Sequence, residues 1–177
     1  MKNKYVPFAH AKSLYEIDPE FFKSNGVTTL FVDLDNTLDS YKLHSPSDNA
    51  KALIKKLNEA GLNVFIMSNN RYKRVLPYAK ELGIEFISSA GKPFPRKINK
   101  FVKEKGLNKE NIMVVGDQLM TDTLAGNRAK IRVVLTEKIV KEDQPTTHFN
   151  RIFDRPIRKH LRKKGLLVDW KDKYGTR

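Results

Sequence analysis

Apolar and polar positions fall in blocks along this chain, and the blocks switch between two periods. Thr28 to Val32 is an unbroken run of β-branched and apolar residues, the composition of a strand buried on both faces. Leu62 to Met67, Ile84 to Ile87, Asn111 to Val115 and Arg132 to Leu135 read the same way. Between them the apolar residues recur at helical spacing. Ser47 or Asp48 caps a helix to about Glu59 that turns Ala52, Leu53, Ile54 and Leu57 inward, and Gly61 stops it. Arg71 to Leu82 reads as a helix that Pro77 either starts or kinks. Pro95 to Lys105 is a basic helix burying Ile98, Phe101 and Val102, and Thr121 to Ala129 is another helix. Upstream, Asp18-Pro19-Glu20 is a helix start, and Phe8, Leu14, Tyr15 and Ile17 are read as cover for the core in preference to contact with a membrane surface.

Strands that alternate with crossover helices predict a parallel sheet covered on both faces, an α/β fold. Ligands of such sheets bind at the carboxyl ends of the strands. The residues there share one chemistry. Asp33 and Asp35 leave the first strand on the same side, because side chains alternate along a strand. Ser68 and Asn69 end the second, Lys92 follows the third, and Asp117 ends the fourth with Asp122 one turn on. Clustered carboxylates repel unless a hard cation joins them. A calcium loop starting at Asp33 is excluded, because its sixth and twelfth positions, Leu38 and His44, are not Gly and Glu. Acids, a hydroxyl and a fixed ammonium together suit a phosphate ester.

Composition narrows the setting. The chain has 177 residues, enough for one domain with a real core, and no cysteine, which excludes disulfides and thiolate metal sites. The opening MKNKYVPFAHAK lacks the apolar stretch of a signal peptide, and no run is long enough to span a membrane. A cytoplasmic chain is expected. The net charge of +14 favours polyanionic partners: anionic membrane, nucleic acid or phosphorylated ligands.

The strand-end motifs carry a family resemblance. FVDLDNT (31 to 37) resembles the first motif of the haloacid dehalogenase (HAD) superfamily, MSN (67 to 69) the second, GKP (91 to 93) the third and GDQLMTD (116 to 122) the fourth. The wording is most similar to the YqeG-like phosphatases of subfamily IIIA, themselves similar to mitochondrial phosphatidylglycerophosphate phosphatases. The resemblance implies a Rossmann-like three-layer sandwich and a Mg²⁺-dependent phosphatase. It implies Asp33 as nucleophile and Asp35 as general acid and base. Mg²⁺ is then held by Asp33, Asp117 and the main-chain carbonyl of Asp35. Ser68, Asn69 and Lys92 bind the phosphoryl group, Lys92 also neutralising Asp33, and Asp122 stands in the outer shell. Arg71 is a further candidate phosphate contact.

The spacing leaves no room for a cap domain: Leu38 to Ser47 is too short, and Ser68 to Lys92 holds one helix and one strand. An open site accepts a phosphate displayed on something large. By resemblance the favoured substrate is phosphatidylglycerophosphate. Nucleic-acid termini and a non-catalytic basic binding module are the rivals. Residues 1–177 are read as one domain, its core about 27–137, with a basic extension 138–177. In that extension Arg151 to Lys164, with Ile152, Phe153, Ile157 and Leu161, reads as an amphipathic helix that Pro156 starts or breaks. It lies on anionic membrane or packs on the sheet. The tail after Gly165 is expected to be partly disordered, with Leu166, Leu167, Val168 and Trp170 free to bind lipid or core.

Overall fold

The computed structural model describes residues 4–139 and 145–175, with side chains from 153 onward in the second stretch. Its strands are β1 (Ala9–Ala11), β2 (Thr29–Val32), β3 (Asn63–Met67), β4 (Phe86–Ile87), β5 (Ile112–Gly116) and β6 (Arg132–Thr136). They form one sheet in the order β1-β6-β5-β2-β3-β4, and every pairing is parallel. The helices are α1 (Pro19–Ser24), α2 (Asp48–Glu59), α3 (Tyr72–Leu82), α4 (Arg96–Glu104), α5 (Leu124–Ala129) and α6 (Pro145–Lys163). From β2 the chain winds outward through β3 and β4, then returns to the other side of β2 for β5 and β6. The switch point therefore lies between β2 and β5, where open α/β sheets place their ligands.

Two apolar layers flank the sheet. Leu30 and Val32 of β2 face a core with Leu53, Ile54 and Leu57 of α2 and Val75, Tyr78 and Ala79 of α3. Phe31 points the other way, onto Met67, Ile98 and Val102 of α4 and Ala125 and Ala129 of α5. The rings of Phe31, Phe65 and Phe101 meet edge to face at 5.2 to 5.8 Å between centroids. Each such pair contributes about 0.5–1.5 kcal/mol beyond the area it buries.

Several local expectations change. Ala50, not Ala52, completes the buried stripe of α2. Pro77 neither starts nor ends α3, which begins at Tyr72 and runs through it. Residues 119–123 form one wide, π-type turn before α5. A strand, β1, stands where only core cover was expected, although Leu14 and Ile17 are buried as read. α6 begins upstream of Pro156 and passes through it. The side chains of Arg151 and Ile152 lie outside the described residues.

The structure describes the tail as far as residue 175. The amide of His10 donates to the carbonyl of Val168 at 2.8 Å, so the tail covers the open edge of β1. Trp170 is buried, and its ring meets Phe21 at 5.7 Å. α6 docks through Leu161, which packs with Leu119 and Leu135.

Glu137, just after β6, ties these parts together. It takes a hydrogen bond from His10 at 2.9 Å and pairs with Arg158 at 3.1 Å and Arg162 at 3.3 Å. The His10 hydrogen bond, and then the two arginines against the opposing effect of burial, lower its pKa from 4.5 to about 2. A depressed carboxylate contributes stability above its unfolded pKa and loses it as pH falls through the folded one. The gap in thermal midpoint between wild type and Glu137→Gln should therefore be full above about pH 5 and close between about 4.5 and 2. Melting curves across that window check it, and a constant gap would refute the assignment.

Candidate active site

Register builds the site. Val32 lies opposite both Ile66 of β3 and Val115 of β5, so the three strands end at nearly one level. Asp33 follows Val32, Ser68 follows Met67, and Asp117 follows Gly116. The amide of Asp33 still donates to Val115 at 2.9 Å, and that of Ser68 to Ile87 at 2.9 Å. Rigid sheet thus carries each side chain to the same face.

Lys92 arrives from the loop after β4. Its ammonium donates to Asp33 Oδ1 at 2.5 Å, to Asp122 Oδ1 at 2.6 Å and to the Met67 carbonyl at 3.0 Å. The side chain is 3% exposed. Burial alone would favour neutral lysine, but the carboxylates of Asp122 and Asp33 outweigh it and hold the pKa above the ordinary lysine value. Asn69 clamps the loop from below. Its amide nitrogen donates to the Lys92 carbonyl at 3.0 Å, and its oxygen accepts from the Lys92 amide at 2.9 Å. Both ends of the Asn69 amide thus engage the Lys92 backbone, and its nitrogen keeps a second hydrogen. Ser68 Oγ accepts from the Asn70 amide at 3.0 Å, which shapes the turn after β3.

Asp35 has its own partners, Asn70 and Arg74. Asn70 Nδ2 donates to Oδ2, and Arg74 Nη2 donates to Oδ1 at 3.2 Å. Burial pushes the Asp35 carboxyl upward, and Arg74, Asn70 and Lys92 only partly offset that. Arg71, the expected phosphate contact, is exposed at the start of α3, and Arg74 one turn on reaches the site instead. Asp39 organises the loop behind. It accepts from the amides of Ser47 at 2.8 Å and Ser40 at 3.2 Å and from the Tyr78 hydroxyl.

Asp33, Asp117 and Asp122 are all buried, and each offers an oxygen within 4.8 Å of the others. Burial raises the pKa of Asp33 far above the ordinary range, Lys92 relieves it in part, and Asp122, Asp117 and Asp35 raise it further. One ammonium does not balance this excess of negative charge. An all-oxygen donor set with surplus charge fits a hard divalent cation.

A family model, the haloacid dehalogenase-like hydrolases, matches residues 4–130. The chain belongs to the HAD hydrolases. It is 34% identical over 172 residues to "Probable phosphatase YqeG" of Bacillus subtilis, covering 97% of this chain and 99% of that one. It is also 28% identical over 152 residues to "Phosphatidylglycerophosphate phosphatase 1, chloroplastic/mitochondrial" of Arabidopsis thaliana, covering 79% of this chain and 43% of that protein. Two solved structures share the fold. One is a Vibrio cholerae protein assigned as a 3-deoxy-D-manno-octulosonate 8-phosphate phosphatase (TM-score 0.55, 18% identity, 73% of this chain and 78% of that one). The other is assigned to HAD subfamily III A in Legionella pneumophila (TM-score 0.51, 20% identity, 69% and 72%). Family and relatives make this chain an HAD phosphatase, and HAD phosphatases use a divalent metal.

In this HAD phosphatase the C-terminal helix reaches the acidic loop. Asp154 accepts from the amides of Leu119 and Met120, both at 2.9 Å, capping the wide turn after Asp117. Arg158 Nη2 donates to the Asp117 carbonyl at 2.7 Å. The amide of Gln118 donates to Asp122 Oδ2 at 3.1 Å. No local sequence signal marks Asp154 or Arg158, because both act across more than thirty residues. Gly116 shapes the same loop: a Cβ built there would sit 2.3 Å from Asp122 Cγ.

Two outcomes follow for this loop. Gly116→Ala should displace Asp122 from Lys92 and cut turnover of a soluble phosphate ester by about a hundredfold with circular dichroism unchanged. Asp154→Ala should weaken divalent-metal binding, read by calorimetry, by about tenfold. Unchanged metal affinity would reduce Asp154 to a helix cap alone.

Proposed function

We propose that the chain is a Mg²⁺-dependent phosphomonoesterase working through an aspartyl-phosphate on Asp33. The observation that carries this reading is the Lys92 ammonium held between Asp33 and Asp122, with Asp117 close by, at the end of the central strand. Asp33, Asp117 and the main-chain carbonyl of Asp35 would hold Mg²⁺, which supplies positive charge to the phosphoryl oxygens and favours the ionised form of Asp33. An Asp33 oxygen attacks phosphorus as the bond to the leaving oxygen breaks. Asp35 gives its proton to that oxygen, and its raised pKa suits a group that must carry a proton near neutrality. Asp35, now a carboxylate, takes a proton from water. The water oxygen attacks phosphorus, phosphate leaves, and Asp33 is restored. Lys92 neutralises the transferring group throughout, and Ser68 donates its hydroxyl to it. Asp122 keeps Lys92 aimed.

The favoured substrate is phosphatidylglycerophosphate, giving phosphatidylglycerol. Similarity to the Arabidopsis phosphatase supports it. So does the open site: among the described residues only loop separates β2 from α2, and only α3 lies between β3 and β4. We read residues 1–177 as a single phosphatase domain, since α6 caps the acidic loop and the tail pairs with β1.

Hydrolysis of a soluble aryl phosphate should vanish on chelation, return with Mg²⁺, and fall at least about a thousandfold in Asp33→Asn. In a panel with phosphatidylglycerophosphate in mixed micelles, a 5′-phosphorylated oligonucleotide and sugar phosphates, the lipid should show the highest kcat/KM. A preference for the oligonucleotide would overturn the substrate, and full activity of Asp33→Asn would overturn the mechanism.

A further inference from the structure

We infer that the face carrying the site is a docking surface for an anionic lipid bilayer, with a ring of apolar tips that enter it. This rests on the phosphatase reading only for where the site is. Leu43, Tyr72, Phe94, Ile139, Phe153 and Tyr174 are the exposed large apolar side chains among the described residues. Leu43, Tyr72, Phe94 and Ile139 stand just after the carboxyl ends of β2, β3, β4 and β6, and Phe153 stands on α6 beside the residue that caps the acidic loop. Each is also tied to a site residue. Leu43 is two residues from Tyr41, whose carbonyl accepts from Arg74. Tyr72 lies between Asn70 and Arg74, the partners of Asp35. Phe94 is two residues beyond Lys92 and is 67% exposed. The Ile139 amide donates to the Asn36 carbonyl at 3.1 Å. Phe153 precedes Asp154, which caps the acidic loop.

Tyr174 is at the far end of the molecule and is explained there. Its ring stacks on Phe21 and Trp170 at 5.7 and 5.8 Å. Of the other five, Tyr72 meets the Phe86 ring at 5.5 Å and Phe94 lies under the Arg128 guanidinium, yet all five stay exposed. Scattered apolar residues on a surface need no reason, but five gathered around one site do.

Their flanks are basic. Lys42, Arg71, Lys73, Arg96, Lys97 and Arg155 are exposed beside the tips. Among the described acids of the same segments, Asp39 and Asp154 are buried, Glu137, Glu81 and Glu104 pair with Arg158, Lys51 and Lys100, and Asp48 is exposed. Apolar tips among cations match the boundary of an anionic bilayer, where hydrocarbon lies just below phosphate. Nucleic acid fits less well. Leu43 and Ile139 have no ring on which a base could stack, and the Arg128 guanidinium lies 5.6 Å over the Phe94 ring.

The test uses the full chain and vesicles of phosphatidylcholine with or without phosphatidylglycerol. Wild type should co-sediment with the anionic vesicles, less at high salt, and little with phosphatidylcholine alone. Tyr72→Glu/Phe94→Glu should lose about tenfold in partition while hydrolysing soluble aryl phosphate within about twofold of wild type. Phe94→Trp should show emission that blue-shifts on binding and is quenched by brominated lipid. Wild type that stays in the supernatant, a double variant that binds equally well, or an oligonucleotide preference abolished by the double variant would each overturn the proposal. Loss of aryl phosphatase activity in wild type with vesicle binding intact would instead overturn the phosphatase reading and leave the surface standing.

Discussion

Lys92 places one ammonium against the carboxylates of Asp33 and Asp122, with Asp117 close by and water largely excluded. Removing a charge of this kind from water costs several kcal/mol, and a paired buried ion adds little net stability. Such a cluster points to chemistry rather than to folding. Its geometry depends on the sheet, because Asp33 and Asp117 stand on adjacent parallel strands and Lys92 bonds to the end of a third. The whole Rossmann-like frame serves to bring these charges to one point and hold them there.

The C-terminal extension belongs to that frame. It reads as a solvated or membrane-bound helix by its charge, but its buried side is specific. Leu161 packs under the acidic loop, Asp154 caps it, and Arg158 holds the Asp117 carbonyl. Beyond α6, Val168 and Trp170 close the edge of β1 and the side of α1. Among the described residues, no helix is long and apolar enough to cross a membrane.

Legibility followed the range of each interaction. Buried strands and helix caps are local, so β2, β3, β5 and the Ser47 cap of α2 could be read directly. The strand-end rule then places Asp33, Lys92 and Asp122 at one end of the sheet, where the ammonium meets both carboxylates. β1 was missed because three residues, Ala9–Ala11, carry too little pattern. Arg74 was missed because a helix start offers three basic residues, Arg71, Lys73 and Arg74, and only packing over Tyr78 selects the last of them. Asp39, Asp154 and Arg158 were missed for a different reason. Each satisfies backbone or hydroxyl groups far along the chain or around a turn, and no spacing announces that.

The two-way grip of Asn69 on the Lys92 backbone has a dynamic meaning. It welds the loops after two neighbouring strands into a single bracket, so the backbone that carries the ammonium is fixed in place. The entropy of aiming that cation is spent once, when the chain folds, and an incoming anion meets a socket already set.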